Sequence, residues 1–192
     1  MLSCMTSAPM RKDAARNRQR IVDVARRLVD DGTSLQLNDV ARLAEVGVAT
    51  VYRHFPTPEA LMETVATPGL EALVAHAERA LTEDDPWQAL AGFLDVTLEA
   101  QLTDPSLTIV RAAPERVLPR TEELTALLDS LAGRLLDRAR EAGAVRGVVT
   151  WDDLLPLMCG IAFAANVHAG DQRTRLESGR RYLAVMLQGL RG

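Results

Sequence analysis

Aromatic side chains make up 4% of this 192-residue chain: two Trp, two Tyr and three Phe. A β-sandwich or barrel core normally draws on aromatic and β-branched residues, so this scarcity argues against one. Cysteine is equally scarce. Cys4 and Cys159 stand far apart and form neither a metal-ligand nor a redox spacing. Cys159 lies in an apolar run and reads as a buried free thiol. No apolar stretch reaches the length of a membrane span, and the opening MLSCMTSAPMRKD has no hydrophobic segment, so neither a secretory signal nor a lipoprotein site is expected. A cytoplasmic protein without membrane contact is predicted. The chain also lacks a phosphate-binding glycine loop, a zinc-ligand spacing and a nucleophile elbow, and its three histidines are scattered. No catalytic residue, metal or cofactor is assigned, and no enzyme activity is expected.

What is present is 47% hydrophobic residue content drawn mainly from Leu, Ala and Val. That mixture favours helices, and the periodicity agrees. Ile21, Val24, Ala25, Leu28 and Val29 recur at helical spacing between Asp13 and Asp31, with Gly32 placed to end the run. A short helix is predicted from Asn38 to Ala44, with Leu37, Val40, Ala41 and Ala44 inward, and another from Val48 to His54. Thr57-Pro58 opens a fourth helix to about Leu81, which Pro68-Gly69 is expected to kink or interrupt. Asp85-Pro86 opens a fifth. A short piece after Pro105 and a helix from Arg120 to Ala142, closed by Gly143, follow. Thr150 and Asp153 form a capping box for a helix through His168, and a last helix runs from Asp171 to Leu190. The fold class is therefore all-α. Three segments are predicted: a flexible basic arm (1–12), a three-helix head (13–56) and a larger helical bundle (57–192). The head alone buries too little apolar surface to stand by itself and must lean on the fourth helix.

The net charge of −4 conceals a gradient. Residues 1–55 carry nine Lys/Arg against six Asp/Glu, whereas the remainder carries 13 against 20. A basic end on an acidic body points to an anionic partner for the N-terminal part. Within that part lies GVATVYRHFPTPEAL, residues 47–61, where Tyr52, Arg53, His54 and Phe55 adjoin a helix start. Two short helices joined by a tight turn, behind a basic first helix, form a helix-turn-helix pattern. Val51 and Phe55 would point into the head, leaving Val48, Ala49, Tyr52 and Arg53 outward. Such a face suits a DNA major groove.

The run AEVGVATVYRHFPTPEAL resembles the DNA-binding signature of TetR-type transcriptional repressors. The match spans about Arg16 to Val65. DPWQAL, REAGAVR and WDDLLPLMCGIA further resemble SbtR-like C-terminal domains. The resemblance implies that Thr50, Tyr52 and His54 grip phosphates, and that Val48, Ala49 and Asn38 face bases. Arg11, Lys12, Arg16 and Arg18 would add sequence-blind phosphate contacts, with Arg53 and Thr57 at the same surface. Asn38 equally suits a helix cap, and Tyr52 and Phe55 equally suit a small core. Two positions depart from the family pattern: Glu45 stands at the usual turn glycine, and Pro58 at the usual lysine of the fourth helix.

In the C-terminal part, Phe93, Leu94, Thr97, Val110, Trp151, Met158 and Phe163 are candidate walls of an effector site, with Arg111 or Glu115 as a polar anchor; each also suits plain core. An apolar or amphipathic small molecule would fit such walls. Small residues Gly160 and Ala164, with Leu176, Leu183, Met186 and Leu187, mark the last two helices as a candidate homodimer interface. The implied function is a dimeric regulator, by family expectation a repressor, that binds double-stranded DNA at an inverted-repeat operator and is released by its effector. The alternative is a ligand-binding or protein-interaction module whose degenerate head no longer binds DNA.

Overall fold

The structure is a computed structural model that describes residues 7–147, 149–167 and 170–191, with side chains from Asp13 onward. Among the described residues there are nine helices: α1 (Ser7–Asp30), α2 (Leu37–Leu43), α3 (Val48–His54), α4 (Pro58–Ala80), α5 (Pro86–Thr103), α6 (Pro105–Ala112), α7 (Pro119–Glu141), α8 (Trp151–Val167) and α9 (Gln172–Leu190). The all-α expectation holds. The chain divides into two compact units, one ending at Ala66 and the other starting at Thr67. That division falls inside α4, ten residues beyond the expected 56/57 boundary, because the first turns of α4 pack into the head.

Punctuation residues set most of the ends. Asp85, ahead of Pro86, accepts from the Trp87 and Gln88 N–H groups at 2.9 and 3.1 Å. Asp104, ahead of Pro105, accepts from Ser106 N–H at 3.0 Å. Asp171 caps α9 through Thr174 N–H at 2.9 Å. The Thr150–Asp153 box forms as expected, with Asp153 Oδ2 accepting from both the N–H (2.8 Å) and hydroxyl (2.7 Å) of Thr150. These side chains satisfy N–H groups that a helix start leaves without internal partners.

Two expectations on helix extents need correction. The proposed flexible arm is helical from Ser7, because α1 begins six residues earlier than the apolar periodicity indicated. Proline does not interrupt α4: the helix runs through Pro68 to Ala80. The adjacent Gly69 serves packing, since a Cβ there would lie 3.1 Å from both methyl carbons of Leu107 and 3.2 Å from Asp104. His168, the expected end of α8, lies outside the described residues, as does Cys4; Cys159 is a half-buried free thiol rather than a buried one.

The head has its own core. Ile21, Val24 and Ala25 of α1, Leu37, Val40 and Ala41 of α2, Val51 of α3, Phe55, and Leu61 and Val65 of α4 form one buried cluster. Each fully buried aliphatic side chain there contributes roughly 1.5–3 kcal/mol of transfer free energy. Arg26 of α1 donates to the Val65 carbonyl, tying α1 to α4 within this unit. In the second unit α5 is central and packs against α6, α7, α8 and α9. Its inner side chains Leu90, Phe93, Leu94 and Leu98 are fully buried together with Leu135 of α7 and Leu154 of α8. Gly179 lets α9 approach closely, since a Cβ there would sit 2.8 Å from a methyl of Leu102.

Candidate nucleic-acid interface

The turn between α2 and α3 sets the face that α3 presents. Val46 N–H donates to Ala41 O at 3.0 Å and Glu45 N–H to Arg42 O at 3.3 Å, the two bonds of a Schellman ending. Its C′ residue needs a left-handed backbone, and Glu45 adopts φ 52°. The same pair of bonds ends α1 at Gly32 (φ 69°) and α7 at Gly143 (φ 71°), where glycine bears the conformation at little cost. At Glu45 the side chain has a use of its own: Arg20 Nη2 lies 3.5 Å from its carboxylate. That pairing offsets the negative charge which this position brings to the head.

Gly47 precedes α3 and its carbonyl accepts from Thr50 N–H (2.8 Å) and Val51 N–H (3.2 Å). From this start, Val51 and Phe55 turn into the core and are essentially unexposed. Val48 and Tyr52 are 48% and 46% exposed, large apolar and aromatic surfaces held outward on a short helix. Ala49 and Arg53 are exposed beside them, while Thr50 and His54 are half-buried at the flanks. Phe55 has a double role: its ring lies 6.2 Å from that of His54, and the Arg18 guanidinium sits 5.4 Å over its face. Arg18 is thereby held against the head surface by a cation–π contact.

Asn38 is exposed at the second position of α2, and Gln36 is the residue that precedes that helix, so Asn38 does not act as its cap. Thr57 does cap: its hydroxyl accepts from Ala60 N–H at 3.2 Å. Arg16 is exposed and lies 3.4 Å from Asp13. The side chains of Arg11 and Lys12 lie outside the described residues. An outward cluster of methyl, phenol and guanidinium groups on a helix locked from behind is what a groove reader requires.

Residues 21–65 match the tetR family of bacterial regulatory proteins, and residues 85–192 match the C-terminal domain of SbtR-like transcriptional regulators. The chain belongs to the TetR family. An HTH-type transcriptional regulator of Staphylococcus aureus (strain USA300) is 30% identical over 103 residues, 51% of this chain and 55% of that protein, so the chain spans about half the length of the curated relatives it matches. Among solved structures, a TetR transcription regulatory protein from Mycobacterium vanbaalenii is 30% identical, with a TM-score of 0.54, covering 96% of this chain and 100% of that one. RolR, solved in complex with resorcinol, shares the fold at 20% identity, with a TM-score of 0.59 and coverage of 93% and 89%. The chain thus pairs a TetR-family helix-turn-helix head with an SbtR-like C-terminal domain.

The C-terminal unit sorts the remaining candidates. Phe93, Leu94, Thr97, Val110, Trp151 and Met158 are all buried. Thr97 Oγ1 donates to the Phe93 carbonyl at 2.8 Å, and the Phe93 and Trp151 rings lie 6.0 Å apart. His76 of α4 stacks with Phe93, their rings 6.4 Å apart. Phe163 does not join them. It is 73% exposed on α8, because it falls opposite the Leu154, Met158, Ala162 and Ala165 positions that face inward. Arg111 is buried and bonds to Asp129 of α7 at 2.8 Å, and Trp151 Nε1 donates to the same oxygen at 2.9 Å. Asp129 was missed from sequence, since nothing local marks an acid on a regular helix as the partner of residues 18 and 22 positions away.

The candidate interface residues also divide. Leu183 is buried among the core side chains of its own unit, so it is not a surface for a partner. Gly160 is exposed, while Ala164, Leu176, Met186 and Leu187 are half-buried. Next to them stand the exposed apolar side chains Leu157, Phe163 and Val167 of α8 and Tyr182 and Val185 of α9. The four-residue step from Phe163 to Val167 and the three-residue step from Tyr182 to Val185 were the signal that could have grouped them. Among the described residues, no helix is long and apolar enough to cross a membrane.

Proposed function

We propose that this regulator is a ligand-responsive repressor that binds an inverted-repeat operator as a homodimer and releases it when a small molecule occupies the C-terminal unit. The observation that carries the DNA part is the face of α3: Val48, Ala49, Tyr52 and Arg53 outward, with Val51 and Phe55 locked beneath. Val48 and Ala49 offer methyl contacts to thymine, Tyr52, Thr50 and His54 offer donors to phosphates, and Asn38 offers a bidentate partner for adenine. Arg16 and Arg18 add salt-sensitive affinity. Reading DNA places the work of this protein in the cytoplasm.

The dimer reading rests on α8 and α9, where Leu157, Phe163, Val167, Tyr182 and Val185 leave one apolar face open beside the small residues Gly160 and Ala164. A second copy, offering the same face about a two-fold axis, would bury it as a four-helix contact. The effector reading rests on the buried set around Phe93 and Trp151, with Arg111 as the polar group among apolar walls. An effector releases DNA only to the extent that it binds one state of the protein more tightly than the other. The intact turn at Glu45 and the working cap at Thr57 favour a competent head over a degenerate one.

Selection of bound duplexes from a randomised pool tests this directly, with purified protein and with its Tyr52→Ala variant. Enrichment of an inverted repeat, lost in the variant, is the expected result. Failure to enrich any sequence would move the ligand-module reading ahead. Enrichment that survives Tyr52→Ala would refute the role given to α3.

A further inference from the structure

Most arginines of the head already have a partner within it. Arg16 lies 3.4 Å from Asp13, Arg20 3.5 Å from Glu45 and Arg42 3.0 Å from Asp39. Arg26 donates to the Val65 carbonyl. Arg18, Arg27 and Arg53 differ: they are exposed and make no ion pair or hydrogen bond among the described residues. Arg27 lines a shallow groove with Leu28, Asp31 and Leu43, nine positions and about 13 Å beyond Arg18 along α1. Arg53 stands in the last turn of α3. Arg18 is set at that same end, because its guanidinium carbon lies 5.4 Å over the ring of Phe55, the residue that closes α3.

Phe55 is a fixed platform. It is 2% exposed, belongs to the core cluster with Ile21, Val51 and Leu61, and donates its N–H to the Val51 carbonyl at 2.8 Å. The His54 ring lies 6.2 Å from it at a tilt of 46°. One buried ring therefore has Arg18 over its face and His54 beside it, with Arg53 next along the chain. The start of α4 adds no cation here, since Thr57, Pro58 and Glu59 follow. A guanidinium resting on an aromatic ring is placed by that contact while its N–H donors stay open for an anion. Ordering it in advance lowers the entropy lost when a phosphate binds. Arg18 stands on α1, beside the outward face of α3 and not on it, so its partner is a backbone phosphate and not a base edge.

We propose that Phe55 is a positioning residue for DNA binding: it holds Arg18 at the C-terminal end of α3, where Arg18 grips a backbone phosphate alongside Arg53 and His54. This deepens the DNA-reading function proposed above and rests on it. The charge that reaches DNA from α1 is then a placed contact. Arg27, equally unpaired but without a platform, does not share it.

The test uses the full chain and two duplexes of equal length, one recovered by the selection above and one of arbitrary sequence. Affinity is followed by fluorescence anisotropy over a range of salt concentrations. Arg18→Gln should lower the slope of log affinity against log salt by about one on both duplexes, and Arg27→Gln should leave it unchanged. Phe55→Leu keeps an apolar side chain in the core but removes the ring. It should weaken binding by about two- to fivefold in the parent, and by less than about 1.5-fold in the Arg18→Gln background. Methyl resonances of Ile21 and Val51 report whether the head stays folded. If Phe55→Leu unfolds it, Arg18→Lys takes its place: the charge and the salt slope remain, while loss of the planar stack weakens binding by about two- to fivefold. In the free protein the Arg18 δ-proton resonances should lie upfield, shifted by the Phe55 ring.

A salt slope unchanged in Arg18→Gln, or lowered equally in Arg27→Gln, would overturn the phosphate contact. Equal weakening by Phe55→Leu with and without Arg18, an Arg18→Lys variant that binds like the parent, or unshifted Arg18 resonances would overturn the positioning role. A parent that binds neither duplex refutes the DNA-reading face and this contact with it. A parent that binds DNA while Arg18→Gln matches it at every salt concentration refutes this contact alone.

Discussion

Glu45 offers the sharpest test of how the head is built, because the same helix ending occurs three times among the described residues and glycine serves at the other two. Holding an L-residue at φ 52° costs about 1–2 kcal/mol relative to glycine. Against that, glycine gives back about 0.4–1 kcal/mol through the larger entropy of the unfolded chain. The ion pair with Arg20, at 3.5 Å and with side chains 45% and 85% exposed, adds about 0.2–1 kcal/mol. Glu45→Ala keeps the strain and loses the pair, so it should destabilise the head by a few tenths to about 1 kcal/mol. Glu45→Gly loses both, and should fall near the parent, above alanine by about 1 kcal/mol. Amide hydrogen exchange resolves this. The N–H groups of Val46, Val51 and Phe55 donate to Ala41, Gly47 and Val51 carbonyls, all within the head. Their protection should be about fivefold greater in Glu45→Gly than in Glu45→Ala. High salt should narrow the gap between the parent and the alanine variant, and widen that between the parent and the glycine variant, by screening the pair. An alanine variant as protected as the glycine variant would refute a left-handed backbone at this turn.

Three further outcomes follow from burial and charge. Val51→Ala, at a fully buried site, should cost the head about 2 kcal/mol in thermal or urea unfolding, whereas Tyr52→Ala should leave stability within about 0.5 kcal/mol and reduce DNA affinity instead. Phe163→Asp should shift the monomer–dimer equilibrium towards monomer by at least about tenfold in sedimentation, with the fold intact, because the side chain is 73% exposed in a single copy. Asp153 and Asp171 are held below the ordinary carboxylate range, chiefly by the N–H groups of Thr150 and Thr174 and then by their hydroxyls. Folded pKa values below the unfolded ones mean that these caps stabilise above about pH 4 and lose that contribution as the pH falls through the folded values. Amide exchange at Thr150 and Thr174 should accelerate there in the parent and be already fast, and less pH-sensitive, in Asp153→Asn and Asp171→Ala.

Much of this molecule was legible in order along the chain. Helix starts were readable because Asp85, Asp104, Thr150 with Asp153, and Asp171 satisfy backbone donors within three residues of themselves. Gly32 and Gly143 were readable as helix ends for the same local reason. The outward and inward faces of α3 followed from spacing alone, as Val51 and Phe55 differ by one helical turn and share a core.

Other features depend on neighbours that sequence spacing does not supply. Whether Pro68 would break α4 was decided by context: the helix continues, and Gly69 makes room for Leu107, which lies 38 positions on. Phe163 and Leu183 carry similar hydrophobicity, yet one is exposed and the other buried. Their fates were set by which side of α8 and α9 the central helix α5 happens to cover. Likewise, Asp129 acquires its role through Arg111 on another helix and Trp151 at the start of a third. Local hydrogen-bond chemistry and periodicity are written in consecutive residues, so the sequence by itself determined the elements, their caps and the outward face of α3. The choice of buried face and the pairing of distant polar groups depend on packing among helices, and only the tertiary structure decided them.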